Sequence, residues 1–125
     1  MKNIIVVGAV IKRKDGKNLC ALRSESMSLS GFWEFPGGKV EEREDYKIAL
    51  EREIQEELSC KIKVDEKITE VTYENVNLHT YWCEVIEGIP QPNEHEKIEW
   101  VEVEKLSTLN WAPADIPTVN IISKK

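Results

Sequence analysis

The segment from residue 38 to residue 60 constrains this chain most, because it keeps charged residues at fixed intervals. Within it, Glu53, Glu56 and Glu57 have the i, i+3 and i+4 spacing that brings side chains onto one face of an α-helix. Carboxylates on one helical face repel one another unless a positive charge lies among them. Mg²⁺ takes oxygen ligands and commonly joins protein carboxylates to a substrate phosphate. The spacing therefore predicts a divalent-metal site that receives a phosphate ester.

An acid-rich helix can also be a solvated face without any function. The positions of Leu50, Ile54 and Leu58 argue against that reading. At about 100° per residue they form a narrow apolar stripe beside the acidic face. The predicted helix, residues 45–58, therefore packs along one edge and presents its carboxylates along the next. A Gly-rich segment, residues 35–38, comes just before the acids and predicts a tight backbone there.

Residues 38–60 resemble the Nudix box, the signature of hydrolases that act on nucleoside diphosphates linked to another group. The pattern is Gly, five residues, Glu, seven residues, then Arg-Glu-aliphatic-any-Glu-Glu-any-Gly-aliphatic, and its positions are matched here by Gly38, Glu44, Arg52, Glu53, Ile54, Glu56 and Glu57. Two positions depart from it, since Ser59 replaces a glycine and Cys60 replaces an aliphatic residue. We expect position 59 to be a left-handed helix end, where a serine costs on the order of 1 kcal/mol.

Two further segments resemble MutT-type members of this family, which hydrolyse nucleoside triphosphates. They are residues 31–40, Gly-Phe-Trp-Glu-Phe-Pro-Gly-Gly-Lys-Val, and residues 111–117, Trp-Ala-Pro-Ala-Asp-Ile-Pro. Within that group the chain is similar to CTP and methylated dCTP pyrophosphohydrolases. The resemblance implies Mg²⁺-dependent hydrolysis of a (deoxy)nucleoside triphosphate to a monophosphate and pyrophosphate. Such an enzyme would clear cytosine nucleotides or 8-oxo-dGTP from the nucleotide pool.

The resemblance also implies roles for the charged residues. The expected metal ligands are the Gly37 backbone carbonyl and the carboxylates of Glu53, Glu56, Glu57 and Glu94. The ion is expected to be Mg²⁺, with Mn²⁺ as an alternative. The expected catalytic set is Glu44, Arg52, Glu53 and Glu56, with Glu53 as the first choice for general base. Arg52 can clamp Glu44 or a neighbouring carboxylate bidentately, and a purely structural role for that pair is the alternative. Glu96 is the alternative to Glu94, and either can be a hydrated loop acid.

The substrate is expected to meet residues from three segments. The set that the resemblance implies is Arg23, Glu34, Phe35, Gly37, Gly38, Lys39 and Asp115. Arg23 and Lys39 are candidates for the phosphates, or else surface charges. An ionised Asp115 only accepts hydrogen bonds, which suits the amino group of cytosine or adenine and also the N1 and N2 donors of guanine. Its alternative role is a helix N-cap.

Aromatic residues and histidines carry weaker signals. Trp33, Phe35 and Trp111 can stack on a base or fill the core. We expect His95, alone in a loop, to be exposed and idle. We expect His79, inside a strand pattern, to be a core or substrate-side residue rather than a metal ligand.

Length and composition limit the number of domains, the binding partners and the location that we expect for this chain. A chain of 125 residues has room for one domain, taken as residues 1–125. The net charge of −6 argues against a nucleic acid polymer as partner, though not against nucleotides. Residues 4–11 are apolar but too short to span a bilayer. Three cysteines without metal-type spacing predict reduced thiols and a cytoplasmic location. A monomer and a homodimer both remain open.

The order of elements predicts an α/β fold. Strands are predicted at 3–13 and 18–24, joined as a hairpin, with a short extended piece at 33–35. The helix at 45–58 is followed by strands at 62–75 and 77–86, a loop at 88–96, a strand at 99–103 and a helix at 114–123. Mixed strands between helices predict an α/β/α sandwich, which is also the fold that the Nudix resemblance implies. Hydrolysis of ADP-ribose or a nucleotide sugar, and nucleotide sensing without catalysis, are the alternative functions.

Overall fold

The computed structural model describes residues 3–124, and its strands form two sheets. The strands are β1 (Ile4–Ile11), β2 (Asn18–Leu22), β3 (Trp33–Glu34), β4 (Gly37–Lys39), β5 (Lys61–Tyr73), β6 (Val76–Glu87) and β7 (Lys97–Val101). The α-helices are α1 (Tyr46–Leu58) and α2 (Ile116–Ile122), and short 3₁₀ helices cover Val103–Thr108 and Pro113–Asp115. Among residues 3–124, no helix is long and apolar enough to cross a membrane.

Strand β1 lies at the centre of the fold. The larger sheet is mixed and has the order β4-β1-β6-β5, with β1 parallel to β6 and antiparallel to β4. The smaller sheet is antiparallel and has the order β3-β2-β7. Val7, Ala9 and Ile11 pack in an apolar cluster with α1, whereas Val10 packs in a second cluster with α2. Because both faces of β1 are buried, its sequence is continuously apolar. The expected α/β sandwich is confirmed.

The predicted hairpin between the first two strands is wrong. Antiparallel β4 and parallel β6 occupy the two edges of β1, so β2 has no edge of β1 on which to pair. Strand β2 instead pairs with β3 and β7 in the other sheet, and Lys12 and Asn18 form an isolated bridge where the two strands separate. The last strand also lies two residues earlier than predicted, at Lys97–Val101 instead of 99–103.

The two ends of α1 follow from local chemistry. The Asp45 carboxylate accepts hydrogen bonds from the backbone N–H groups of Lys47 and Ile48, at 3.0 and 3.2 Å, and thereby caps the N-terminus. Ser59 ends the helix in the left-handed conformation with φ 55°, as predicted for the position where the box pattern has glycine. The Ser59 Oγ accepts a hydrogen bond of 2.7 Å from Asn93 Nδ2, which a glycine could not do.

We expect Gly37→Ala to destabilise the fold far more than Gly16→Ala. Gly37 pairs with Gly8 in the sheet, and a Cβ at Gly37 would overlap the backbone carbonyl of Val7, which cannot move without breaking the β1–β4 pairing. Overpacking of this kind costs about 3 kcal/mol or prevents folding. Gly16 has φ +88° but open space around it, so alanine there costs only about 1 kcal/mol of strain. Urea unfolding gives the free energy of unfolding of both variants. Equal losses of that free energy in Gly37→Ala and Gly16→Ala would contradict this account.

Candidate active site

Arg52 holds the acidic face of α1 together. Its Nε and Nη2 donate to the two carboxylate oxygens of Glu44 at 2.8 and 2.9 Å, a bidentate pair. Its Nη1 donates to Glu53 Oε2 at 2.9 Å and lies 3.5 Å from Glu56 Oε2. The hydrogen bonds from Arg52 lower the pKa of Glu44 to about 2. Arg52 therefore sets the orientation of three of the box glutamates, while the catalytic roles of these residues stay predictions.

Glu57 is the most unusual of the acids. It is 8% exposed, and within residues 3–124 its Oε1 has no hydrogen-bond partner. Burial, together with the nearby charges of Glu34, Glu53 and Glu94, raises the pKa of Glu57 to about 9. A buried, unpaired oxygen among like charges is costly unless a cation compensates it. Carboxylate oxygens are also the donors that a hard divalent ion takes, so these residues fit such an ion.

The expected ligands are near one another without forming a finished metal cage. Among residues 3–124, no group of three Asp, Glu, His or Cys side chains converges as a metal cluster, and Arg52 engages Glu53 and Glu56. Gly38 lets the Glu53 carboxylate lie directly against the β4 backbone, because a Cβ at position 38 would overlap that carboxylate. A glycine at position 38 therefore lets Glu53 keep this position, whereas a larger residue would displace its carboxylate.

A cavity of about 470 Å³ adjoins this acidic cluster. Glu57 lines it, together with Met27 and Leu29 from the loop after β2 and Tyr73 from the β5–β6 hairpin. All the expected substrate-binding residues also line it, namely Arg23, Glu34, Phe35, Gly37, Gly38, Lys39 and Asp115. The structure thus brings the sequence-predicted substrate residues into one cavity, although contact with a substrate stays a prediction. A larger and more open depression of about 890 Å³ lies elsewhere, around Lys12 and Trp82.

Arg23, Glu34 and His95 form a chain of hydrogen bonds at this cavity. The Arg23 guanidinium donates to Glu34 Oε1 and to the backbone carbonyl of Ser28. Glu34 Oε2 lies 2.7 Å from His95 Nε2. The expectation that His95 is exposed is wrong, because its side chain is fully buried. Long-range contacts bury it, so no local pattern in the sequence could have revealed its position.

Asp115 is buried at the start of α2 but does not act as a helix cap. It is 6% exposed, and its side chain makes no capping hydrogen bond among the residues that the structure describes. Burial and the nearby Glu34 raise the pKa of Asp115 well above its usual range, against the opposing effect of a Phe35 backbone hydrogen bond. The alternative reading of Asp115 as an N-cap is therefore not supported.

Phe35, Trp111 and His79 are buried in the core. Phe35 and Trp111 are buried with ring centroids 4.6 Å apart, and Trp111 Nε1 donates to the Leu106 carbonyl at 2.7 Å. Phe35 also lines the cavity, so it can serve both core and substrate. His79 is buried against the Tyr46 ring, and its Nε2 lies 2.6 Å from Asn77 Oδ1. The expectation that His79 is a core residue fits this placement.

Comparison with known proteins gives the class to which this fold and site belong. The family model of the NUDIX domain matches residues 2–120, so the chain belongs to the Nudix family. Enzymes of this family generally need a divalent metal, and the acids around Glu57 fit one.

The similar proteins include MutT-type members. The chain is 40% identical to the CTP pyrophosphohydrolase of Escherichia coli K12 over 121 residues, 94% of this chain and 89% of that protein. It is 32% identical to putative 8-oxo-dGTP diphosphatase 2 of Mycobacterium tuberculosis, over 92% of this chain and 84% of that protein. The solution structure of MutT from methicillin-resistant Staphylococcus aureus superposes with a TM-score of 0.76 at 52% identity, covering 98% of both chains.

We expect the free energy of unfolding of the Asp115→Asn variant to decrease less with rising pH than that of the unchanged protein. Because the pKa of Asp115 is raised in the folded state, the folded chain binds more protons than the unfolded chain above the usual carboxyl pKa. The free energy of unfolding therefore falls as pH rises, by at most about 1.4 kcal/mol per pH unit for one group. Asparagine cannot ionise and removes this contribution. Urea unfolding at a series of pH values from about 4 to about 7 measures it, and parallel curves for the two proteins would refute the burial argument.

Proposed function

We propose that this chain hydrolyses a (deoxy)nucleoside triphosphate to the monophosphate and pyrophosphate, with Mg²⁺ as the ion and Mn²⁺ as a possible substitute. One observation carries the proposal: a single cavity is lined by Glu57 of the acidic cluster, by Arg23 and by Asp115. Groups suited to a metal, to phosphates and to a base therefore face one substrate-sized space. Similarity to a CTP pyrophosphohydrolase and to a putative 8-oxo-dGTP diphosphatase supports the same substrate class.

In this proposal, the acidic residues bind the metal ion and accept the proton of the attacking water. When bound, a divalent ion would lower the pKa of a water molecule and neutralise phosphate oxygens. We assign its ligands as the Gly37 carbonyl and Glu53, Glu56, Glu57 and Glu94. Arg52 fixes Glu53 by a 2.9 Å hydrogen bond, and Glu53 is our general base for the attacking water.

The substrate side is assigned in the same way. Arg23 lies at the cavity wall with its guanidinium oriented by Glu34, so it can donate to phosphate oxygens as well. Lys39 is a second cation at the cavity wall. Both would stabilise the negative charge of the phosphate chain during the reaction.

The protonation of Asp115 bears on the choice of base. A protonated carboxyl donates one hydrogen bond and accepts another, which matches the N3 acceptor and N4 amino group of cytosine. An ionised carboxylate accepts only and suits the N1 and N2 donors of guanine. Burial raises the pKa of Asp115, which moves the group towards the form that can donate, and the similarity to a CTP pyrophosphohydrolase points the same way; we therefore propose cytosine nucleotides ahead of 8-oxo-dGTP.

We further propose that the chain acts on free nucleotides in the cytoplasm and not on a nucleic acid polymer. The net charge of −6 supports this, because polymer binding needs clustered positive charge. All three cysteines are buried free thiols, in keeping with a reducing compartment. We retain both the monomer and the homodimer as assemblies.

Turnover of a nucleotide panel with Mg²⁺ tests the function directly. The panel holds the common ribonucleoside and deoxyribonucleoside triphosphates, 8-oxo-dGTP, 5-methyl-dCTP, ADP-ribose and a nucleotide sugar. We expect a monophosphate and pyrophosphate, resolved from orthophosphate, with cytosine triphosphates turned over fastest. Cleavage of ADP-ribose or the sugar nucleotide alone would reject the triphosphate assignment. Binding of a nucleotide without turnover would instead favour a sensing role.

Substitution of the acids on α1 tests the assigned roles. We expect Glu53→Gln and Glu57→Gln each to lower kcat by at least about 100-fold, because each removes a proposed ligand and Glu53 is also the proposed base. Glu51→Gln is the matched control, since Glu51 is an exposed acid of the same helix. It should retain full activity. Circular dichroism confirms that each variant is folded, and full activity in a folded Glu57→Gln would remove Glu57 from the metal site.

A further inference from the structure

The loop from residue 91 to residue 96 joins two parts of the active site that are far apart in sequence. At one end, Gln91 N–H donates to the Leu58 carbonyl at 2.8 Å and Asn93 N–H to the Glu57 carbonyl at 3.2 Å. At the other end, Glu96 N–H donates to the Leu22 carbonyl at 2.9 Å, next to Arg23. The loop thus spans from the end of the acidic helix to the end of β2.

His95 is the buried member of this loop. Its neighbours Glu94 and Glu96 are exposed, whereas the His95 side chain has no exposed area. The His95 Nε2 lies 2.7 Å from Glu34 Oε2, and because a carboxylate only accepts, Nε2 donates. In the described part of the chain the other ring nitrogen, Nδ1, has no partner. The one polar interaction of His95 within residues 3–124 is therefore directed at Glu34.

Glu34 connects His95 to Arg23, the proposed phosphate ligand. Its Oε1 accepts from Arg23 while its Oε2 accepts from His95, so each carboxylate oxygen has its own donor. Rotation of Glu34 would break both hydrogen bonds at once. Ser28 holds Nε and Nη2 of the Arg23 guanidinium, and Glu34 holds Nη1. His95 therefore contributes to the position of Arg23 by fixing Glu34. His95 is next in sequence to Glu94, a proposed metal ligand.

We propose that His95 is a positioning residue. Through its hydrogen bond to Glu34, it keeps the Arg23 guanidinium in a fixed position relative to the loop that carries Glu94. The inference rests on the proposed function, since it takes Arg23 as a phosphate ligand and Glu94 as a metal ligand. A histidine that only filled the core would affect folding and leave phosphate affinity unchanged. The two roles therefore differ in a measurable quantity.

A matched pair of substitutions separates these roles. Glutamine at position 95 places its Nε2 donor near the position of the histidine Nε2, whereas asparagine is too short to reach Glu34. We expect His95→Asn to weaken the binding of inorganic pyrophosphate in Mg²⁺ by about 10-fold, the size of one hydrogen bond to a charged group. His95→Gln should stay within about 3-fold of the unchanged protein. Isothermal titration calorimetry gives these affinities.

A second buried histidine supplies the structural control. His79 is 4% exposed and is hydrogen-bonded to Asn77, and neither residue lines the cavity, so His79→Asn should lower stability without changing pyrophosphate affinity. Equal pyrophosphate affinity in His95→Asn and the unchanged protein would overturn the inference. If His95→Asn does not fold, His95→Leu takes its place, because leucine fills the buried space without a hydrogen-bond donor, and the same loss of about 10-fold is expected.

The test also separates this inference from the proposed function. For any triphosphate that is turned over, we expect His95→Asn to raise KM about 10-fold and to change kcat less. If no triphosphate is turned over, the proposed function fails, while pyrophosphate binding still decides the role of His95. If pyrophosphate does not bind to the unchanged protein in Mg²⁺ and the KM of His95→Asn is also unchanged, the inference fails, while triphosphate turnover alone decides the proposed function.

Discussion

The repulsion among carboxylates around α1 is the constraint on which the rest of this structure depends. Glu44, Glu53 and Glu56 are held by one cation, Arg52, while Glu57 is buried among like charges with its Oε1 unpaired within residues 3–124. Such an arrangement is unfavourable for folding and is kept only where a cation or a substrate compensates it. The fold supplies the needed rigidity by packing the apolar edge of α1 on the central sheet.

The same charge pattern explains why the backbone around the acids is so restricted. Gly38 admits the Glu53 carboxylate against β4, and Gly37 admits the backbone of β1. A side chain at position 38 would displace the Glu53 carboxylate, and one at position 37 would disrupt the pairing of β4 with β1. Electrostatics and sterics therefore select the same few residues, which is why this segment is recognisable in a sequence.

Local signals were sufficient for much of this structure. The helical spacing of the acids and the left-handed conformation of Ser59 depend on residues a few positions apart, and both were predicted from the sequence. The pairing of β2 and the burial of His95 depend on which strand edges are free and on how a distant loop folds back. Those properties arise from contacts between segments more than ten residues apart in the chain, so no local pattern contains them.

The two apolar clusters on opposite faces of β1 have a consequence for how such a chain can diversify. One cluster supports α1 and its acids, and the other surrounds Phe35, Trp111 and α2 beside Asp115. The two clusters contain different residues on opposite faces of the same strands, so substitutions confined to the second cluster remove no contact within the first. Evolution can therefore vary the packing around Asp115, the residue proposed to meet the base, while keeping the packing that supports the acids of α1.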